Sequence, residues 1–265
     1  MEEILKIQRL SASNFKFYSP QGKVVLVDAW LTGDPFWPKS EKTSEKLREI
    51  DVLAITHAHF DHAAGIDEIA RQNEKVSIIA QYEFAFSLLG RGIKNVIPTS
   101  YGGTVDVLGI KFSAVSAFHT SSIMDAEGNS HIVGTPMGYV IEFEDKRKVY
   151  ASGDTGLTAD MKFVVGDYYQ PDISLLPATG GPNMEPEQAA YAAHATGCRI
   201  AIPFHDFPRN VSDAADPQGY AEFVKGDPFS ALDSYKRIDR FMEALRTKYP
   251  HIKGVYIPIG GEVDV

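Results

Sequence analysis

Apolar positions fall in short runs, and their spacing alternates between the periods of strands and helices. Residues 4–10 and 14–18 alternate apolar and polar side chains, and Pro20-Gln21-Gly22 supplies a turn before a strand over residues 24–29. Val24-Val25-Leu26-Val27 is apolar throughout, as expected of a strand covered on both faces. Residues 52–56 predict a second buried strand, and residues 30–40, with Gly33, Pro35 and Pro38, a loop. A helix is expected from about Ala64 to Gln72, a strand over residues 76–80, and a helix over residues 83–89 stopped by Gly90. Residues 105–107 and 110–115 form a hairpin pattern around Gly109.

The second half repeats this mixture. Residues 138–143 and 148–151 suggest a hairpin turning at Glu144-Asp145-Lys146, and Ile173–Pro177 reads as a buried strand. Pro186–Thr196 is a helix with Pro in its first turn and Gly197 just past its end. Residues 199–203 form another apolar strand. Residues 231–248 have helical periodicity through Leu232, Tyr235, Ile238, Phe241, Met242 and Leu245. Residues 209–227, rich in Gly, Pro and Asp, read as a long loop of the functional kind. The shared order suits two β/α halves packed face to face, although no residue-level repeat supports a duplication.

Composition narrows the class. With 44% of 265 residues hydrophobic, the chain can bury one large core or two modest ones. Its 26 Lys+Arg against 35 Asp+Glu leave a net charge of −9, which argues against neutralising phosphate backbones. The one cysteine, Cys198, excludes an intramolecular disulfide framework and Cys-rich metal sites. Met1-Glu2-Glu3-Ile4-Leu5-Lys6 carries no secretory pattern, and no run reaches membrane-span length, so a soluble cytoplasmic protein is expected, with assembly as a homo-oligomer left open.

Histidines change the picture, because three of the eight fall within six residues: Thr56-His57-Ala58-His59-Phe60-Asp61-His62. The cluster sits where an apolar strand gives way to a helix. His57 and His59 can point one way while Asp61 and His62 face a neighbouring position, which suggests two metals held from one loop. Burying three imidazoles and a carboxylate together without a metal is costly.

His-x-His-x-Asp-His resembles the signature of the metallo-β-lactamase fold superfamily. His119 in Ala117-Phe118-His119-Thr120, Asp154 in Ser152-Gly153-Asp154-Thr155-Gly156 and His205 in Ile202-Pro203-Phe204-His205 follow in the order that the superfamily requires. The residues around Asp28, Asp154 and Gly180-Gly181 look like the small metal-dependent hydrolases related to ascorbate-6-phosphate lactonase. The resemblance implies a single α+β domain over residues 1–265, a four-layer αββα sandwich of two mixed sheets with outer helices. It also implies His57, His59 and His119 on one ion, Asp61, His62 and His205 on the other, and Asp154 bridging, with Asp61 and Asp154 the catalytic carboxylates. Imidazole and carboxylate ligands suit two divalent ions, zinc first, with manganese or iron also accommodated.

Two such ions can share a water, lower its pKa from 15.7 toward roughly 7 and polarise the scissile bond. Two divalent charges less Asp61 and Asp154 leave a formal +2 at the site, favouring a small anionic substrate such as a lactone or phosphoester. Asp28 either orients a ligand histidine from behind or caps a turn. Thr120, Ser121 and Ser122 either meet substrate or hold their loop, and Trp30, Phe36 and Trp37 either line a pocket or close over the core. His131 is a candidate for substrate contact or proton donation, and Arg209 for contact with a substrate anion. His194, His251 and Cys198 are expected to be structural. The rival readings are a nucleic-acid phosphodiesterase, disfavoured by charge, and an iron-dependent oxidoreductase. The diiron flavoprotein branch carries Glu where His59 stands here.

Overall fold

The apolar run at Val24–Val27 is a strand buried on both faces, and it shows how the layers assemble. Val25 and Val27 enter the core between two sheets, whereas Val24 and Leu26 pack with helices on the opposite side. The structure, a computed structural model, describes residues 4–226 and 231–265. Met1, Glu2 and Glu3 of the acidic opening, Asp227 at the end of the polar segment and the side chain of Leu232 lie outside the described residues.

The first sheet is built mainly from the N-terminal half: β1 (Lys6–Arg9), β2 (Phe15–Tyr18), β3 (Val24–Val27), β4 (Val52–Ala54), β5 (Ser77–Gln81) and β6 (Val96–Thr99). The second contains β7 (Thr104–Val107) and β8 (Ile110–Ser116). A two-stranded ribbon of β9 (Ser122–Met124) and β10 (Ser130–Ile132) interrupts it before β11 (Met137–Glu142), β12 (Lys148–Ala151), β13 (Ile173–Pro177), β14 (Ile200–Phe204) and β15 (Lys253–Gly254). The last strand, β16 (Glu262–Asp264), returns to pair with β1. Both sheets are mixed: β3 to β6 and β12 to β15 run parallel, and the remaining pairs are antiparallel.

Each sheet buries its other face under helices. Leu26, Leu53, Ile55 and Ile78 meet Leu47 of α1 (Ser44–Arg48), Ile66 and Ile69 of α3 (Ile66–Gln72), and Phe84 and Leu88 of α4 (Tyr82–Gly90); the one-turn α2 (Phe60–Ala63) precedes α3. On the second sheet Val115, Val140, Leu176 and Ala201 meet α5 (Pro186–Thr196) and, later in the chain, Ser234–Lys248. The layers are therefore helix, sheet, sheet, helix, as the resemblance implied. No helix among the described residues is long and apolar enough to cross a membrane.

One expectation fails outright. The described part of the expected loop, residues 209–226, is not a long loop: it contains a 3₁₀ turn, Val211–Asp213, and the helix α6 (Pro217–Lys225). Asp216 caps that helix by accepting from the Gly219 amide, and Pro217 starts it. Tyr220 and Phe223 pack with Trp30 and Phe36, so burial outweighs a composition that suggests irregular chain. The final helix, α7, covers Ser234–Lys248 after a 3₁₀ turn at Ala231–Asp233. The helix expected from Ala64 to Gln72 is α3, which begins at Ile66 and ends at Gln72, and the helix expected to stop at Gly90 includes it, Gly92 taking the left-handed φ of +84° beyond. The unread elements include β6, which carries Pro98 on the rim of its sheet, and a nine-residue helical segment, Met161–Tyr169, which buries Met161 and Val165 beside α5.

Candidate metal centre

The carboxyl ends of strands deliver the chemistry, from the parallel pairs of both sheets and, for His119, from the antiparallel β8. The loop after β4 carries His57 and His59, and the α2 turn carries Asp61 and His62. His119 follows β8, Asp154 follows β12 and His205 follows β14. The structure brings all seven side chains together in two groups: His57, His59 and His119, and Asp61, His62, Asp154 and His205.

In the first group His59 Nδ1 lies 3.0 Å from His57 Nε2 and 3.3 Å from His119 Nε2. In the second, His62 Nε2 is 3.4 Å from Asp61 Oδ2 and from Asp154 Oδ1, while His205 Nε2 is 3.4 Å from Asp61 Oδ2 and 3.0 Å from Asp154 Oδ2. Asp154 Oδ2 is also 3.8 Å from His119 Nε2, so this carboxylate stands between the groups. Donors about 2.0–2.1 Å from one tetrahedral ion lie roughly 3.3 Å apart, which is the spacing seen here. His62 Nε2, His205 Nε2 and Asp154 Oδ1 are moreover buried with no hydrogen-bond partner, an arrangement that fits a shared cation.

Electrostatics divides the imidazoles the same way. Burial pushes His57 well below the usual range and lowers His59 and His119, so their nitrogens carry free lone pairs near neutrality. Burial also opposes charge on His62 and His205, but the carboxylates overcome it: Asp61, Asp154 and Asp28 raise His62 well above the usual range, and Asp154 and Asp61 raise His205 to about 10. Asp61 and Asp154 are correspondingly held well below the carboxylate range by the same histidines against burial.

A second layer holds these groups in place. Asp28, at a left-handed φ of 60°, accepts from the Thr56 amide (2.8 Å) and the Thr56 hydroxyl (2.8 Å), and lies 2.7 Å from His62 Nδ1. Thr56 Oγ1 is also 3.0 Å from His57 Nδ1, so Asp28 reaches one histidine directly and another through a hydroxyl. Asn183 donates to Asp154 Oδ2 (3.0 Å) and accepts from the Thr155 amide. Arg9, fully buried, pairs with Asp206 at 2.7 Å and donates to the carbonyls of Ala12, Asp206 and Ile257, fastening the chain beside His205. The sequence reading did not assign Thr56, Asn183 or Arg9. Thr56 carried a usable signal, a polar residue at the end of the apolar run Val52-Leu53-Ala54-Ile55.

Other candidates separate. Thr120 Oγ1 lies 3.4 Å from His59 Nε2 and Thr120 and Ser122 line the cleft above the site, whereas Ser121 is buried, accepting from the Ala58 amide and donating to the Val133 carbonyl. His131 is not brought to the cluster; its Nε2 lies 2.7 Å from Asp125 on the exposed β9–β10 ribbon. Arg209 packs over Tyr235, His194 stacks on Tyr249, and Cys198 is buried. Phe36 and Trp37 belong to the core; Trp30 is largely buried and also borders the cleft.

Gly153 ties the Asp154 loop to the histidine loop. Its φ is +61°, and a Cβ there would lie 2.8 Å from Thr56 Cβ. Gly153→Ala is therefore expected to lower stability by about 1–3 kcal/mol through left-handed strain and that clash. Chemical denaturation of the metal-free protein checks this, and an unchanged midpoint contradicts it.

A sequence profile described as a beta-lactamase superfamily domain matches residues 23–205. The UPF0173 metal-dependent hydrolase of Rubrobacter xylanophilus is 37% identical over 200 residues, spanning 76% of this chain and 81% of that protein. Its counterpart in Chloroflexus aurantiacus is 35% identical over 202 residues, with 75% and 81% covered. Among solved structures, the metallo hydrolase Igni18 of the archaeon Ignicoccus hospitalis superposes with a TM-score of 0.77 at 24% identity, over 99% of this chain and 98% of that one, a likeness of fold. The matched span runs from the strand before Asp28 to His205 and so takes in all seven clustered side chains: the chain belongs to the β-lactamase superfamily, in the family of these UPF0173 proteins.

Proposed function

We propose that this protein is a metal-dependent hydrolase that cleaves a small ester, a lactone or phosphoester, at a dinuclear centre formed by its two side-chain groups. The observation carrying this reading is the position of Asp154 between two convergent donor sets that floor one cleft. Zinc suits the donors, which include no thiolate. When bound, the ions supply an acidified water and a Lewis acid toward the scissile oxygen. The chain's own residues do the rest. Asp28 fixes the ring of His62 directly and that of His57 through Thr56, and Asn183 fixes Asp154. Asp61 and Asp154 face the cleft as carboxylates, and their negative charges would offset those of the ions they hold.

The test is a hydrolase screen of the metal-loaded protein over lactones, phosphodiesters, thioesters and β-lactams, with His59→Ala as control. Activity that survives that substitution overturns the mechanism.

Metal loading should depend on pH at one group only. Raised pKa values keep His62 and His205 protonated at neutral pH in the metal-free protein, so an ion entering their group must displace protons. Affinity there should rise roughly tenfold per pH unit per proton displaced, up to about pH 10. The lowered values of His57, His59 and His119 leave the first group without this penalty above about pH 6.5. Calorimetry in buffers of different ionisation enthalpy should resolve one proton-releasing and one proton-neutral binding event. Equal release at both contradicts the assignment.

A further inference from the structure

The cleft over this polar floor encloses about 810 Å³, and its walls differ in character from the floor. On one side Trp30, Phe60, Phe207 and Phe223 form a continuous aromatic surface. Ring centroids are 5.3 Å apart for Trp30 and Phe60, 5.8 Å for Trp30 and Phe223, and 5.4 Å for Phe207 and Phe223. Ile123 and Met124 of β9 also line the cleft. Phe60 is 61% exposed and Met124 68%, so large apolar side chains face solvent at the mouth of the site. The wall is continuous with the centre: the Phe207 ring lies 6.1 Å from that of His205, and Phe60 stands between His59 and Asp61. Of the cations that border the cleft, Arg91 is engaged by Asp67 at 3.2 Å. A substrate polar on all sides would leave most of this wall unpaired with anything it can recognise.

We propose that the substrate is a carboxylic ester or lactone carrying an apolar group of medium length, which lies along Trp30, Phe60, Phe207 and Phe223 while its carbonyl meets the floor. The assignment rests on the metallohydrolase reading and narrows it, setting aside sugar phosphates and other substrates polar throughout. The reaction consumes one water: the acyl C–O bond breaks, the alcohol oxygen gains a proton, and the acid leaves as carboxylate with release of one proton. No oxidant or further reactant is needed. α6 supplies Phe223, so the segment after His205 helps to set selectivity rather than perform the chemistry.

The experiment compares p-nitrophenyl butyrate and octanoate as substrates of the zinc-loaded protein. In parallel, the binding of butyrate and octanoate is measured with and without zinc by calorimetry and tryptophan fluorescence, for which Trp30 lies in the wall. A fully buried methylene contributes about fourfold, so four partly buried ones should give octanoate roughly a tenfold to hundredfold advantage in kcat/KM and in binding. Phe60→Ala and Phe223→Ala should each cut that ratio by about threefold or more. Phe163→Ala, at a phenylalanine 67% exposed and outside the cleft lining, should leave the ratio as in the wild type. Ester turnover without a chain-length ratio, or with a ratio that neither cleft variant moves, overturns the apolar-wall assignment and spares the hydrolase reading. No turnover of either ester, with the binding ratio intact, overturns the carboxylic-ester assignment, and the hydrolase reading then falls only if the screen over lactones, phosphodiesters, thioesters and β-lactams is also blank.

Discussion

Asp154→Asn is expected to lower kcat/KM by about a thousandfold or more and to reduce bound metal from two ions per chain toward one. The carboxylate lies 3.0 Å from His205, 3.4 Å from His62 and 3.8 Å from His119, so one substitution touches both donor groups. An amide of nearly the same shape removes one negative charge from the centre that we propose holds two divalent ions. It also presents an N–H where a ligand oxygen stood. Replacing a group behind a ligand typically costs 10–100-fold, and removing one charge-stabilising contact to a transition state 10²–10³-fold. Losing the shared ligand combines both effects. Asn183→Ala, which removes the donor to Asp154 Oδ2 and keeps the carboxylate, belongs in the milder 10–100-fold class. Elemental analysis of both variants, with circular dichroism as the control for folding, separates these cases. An Asp154→Asn protein that keeps two metals and a tenth of its activity removes this carboxylate from the bridging position.

That experiment also marks where the sequence was readable. The four ligand-type residues from His57 to His62 are neighbours along the chain, and a loop after a buried strand brings them together almost unaided. His119, Asp154 and His205 are legible by a different route, since each follows an apolar strand and their order matches a known pattern. The residues that orient the cluster were harder to see. Asp28 acts because its backbone takes a left-handed φ, which turns one carboxylate toward the Thr56 amide and hydroxyl and toward His62; spacing alone does not disclose that. Asn183 reaches Asp154 across 29 positions from an irregular loop. The cleft wall was least legible, because it joins Trp30 to Phe223 and depends on a helix hidden in a Gly, Pro and Asp-rich stretch. The Asp216-Pro217 pair was a helix-start signal in that stretch, and the aromatic residues Tyr220 and Phe223, three apart, marked its buried face.

Arg9→Met should be the most destabilising single change outside the cluster, costing about 3–5 kcal/mol. Arg9 and Asp206 are buried at 0% and 1% side-chain exposure, so removing the guanidinium leaves a carboxylate without its countercharge. The carbonyls of Ser11, Ala12, Asp206 and Ile257 each lose a guanidinium donor in the same step, Ala12 keeping the His205 amide. Tyr256 still donates to Asp206, but a neutral hydroxyl replaces little of a buried charge pair. For a chain of this size the loss corresponds to a fall in Tm of roughly 10 °C. Charge is the cause, so Asp206→Asn introduced beside Arg9→Met should recover part of it, because a buried amide is cheaper to leave unpaired than a buried carboxylate. The consequence reaches the site. His205 precedes Asp206, holds a left-handed φ of 76° and donates its amide to the Ala12 carbonyl, which is itself an Arg9 acceptor. Loosening this clamp should weaken metal binding at the His205 group more than at the group of His57, His59 and His119. Thermal unfolding of the single and double variants, with metal titrations well below their Tm, decides the matter. Equal destabilisation in the two variants would mean that the carbonyl contacts, not the buried charge, carry the clamp.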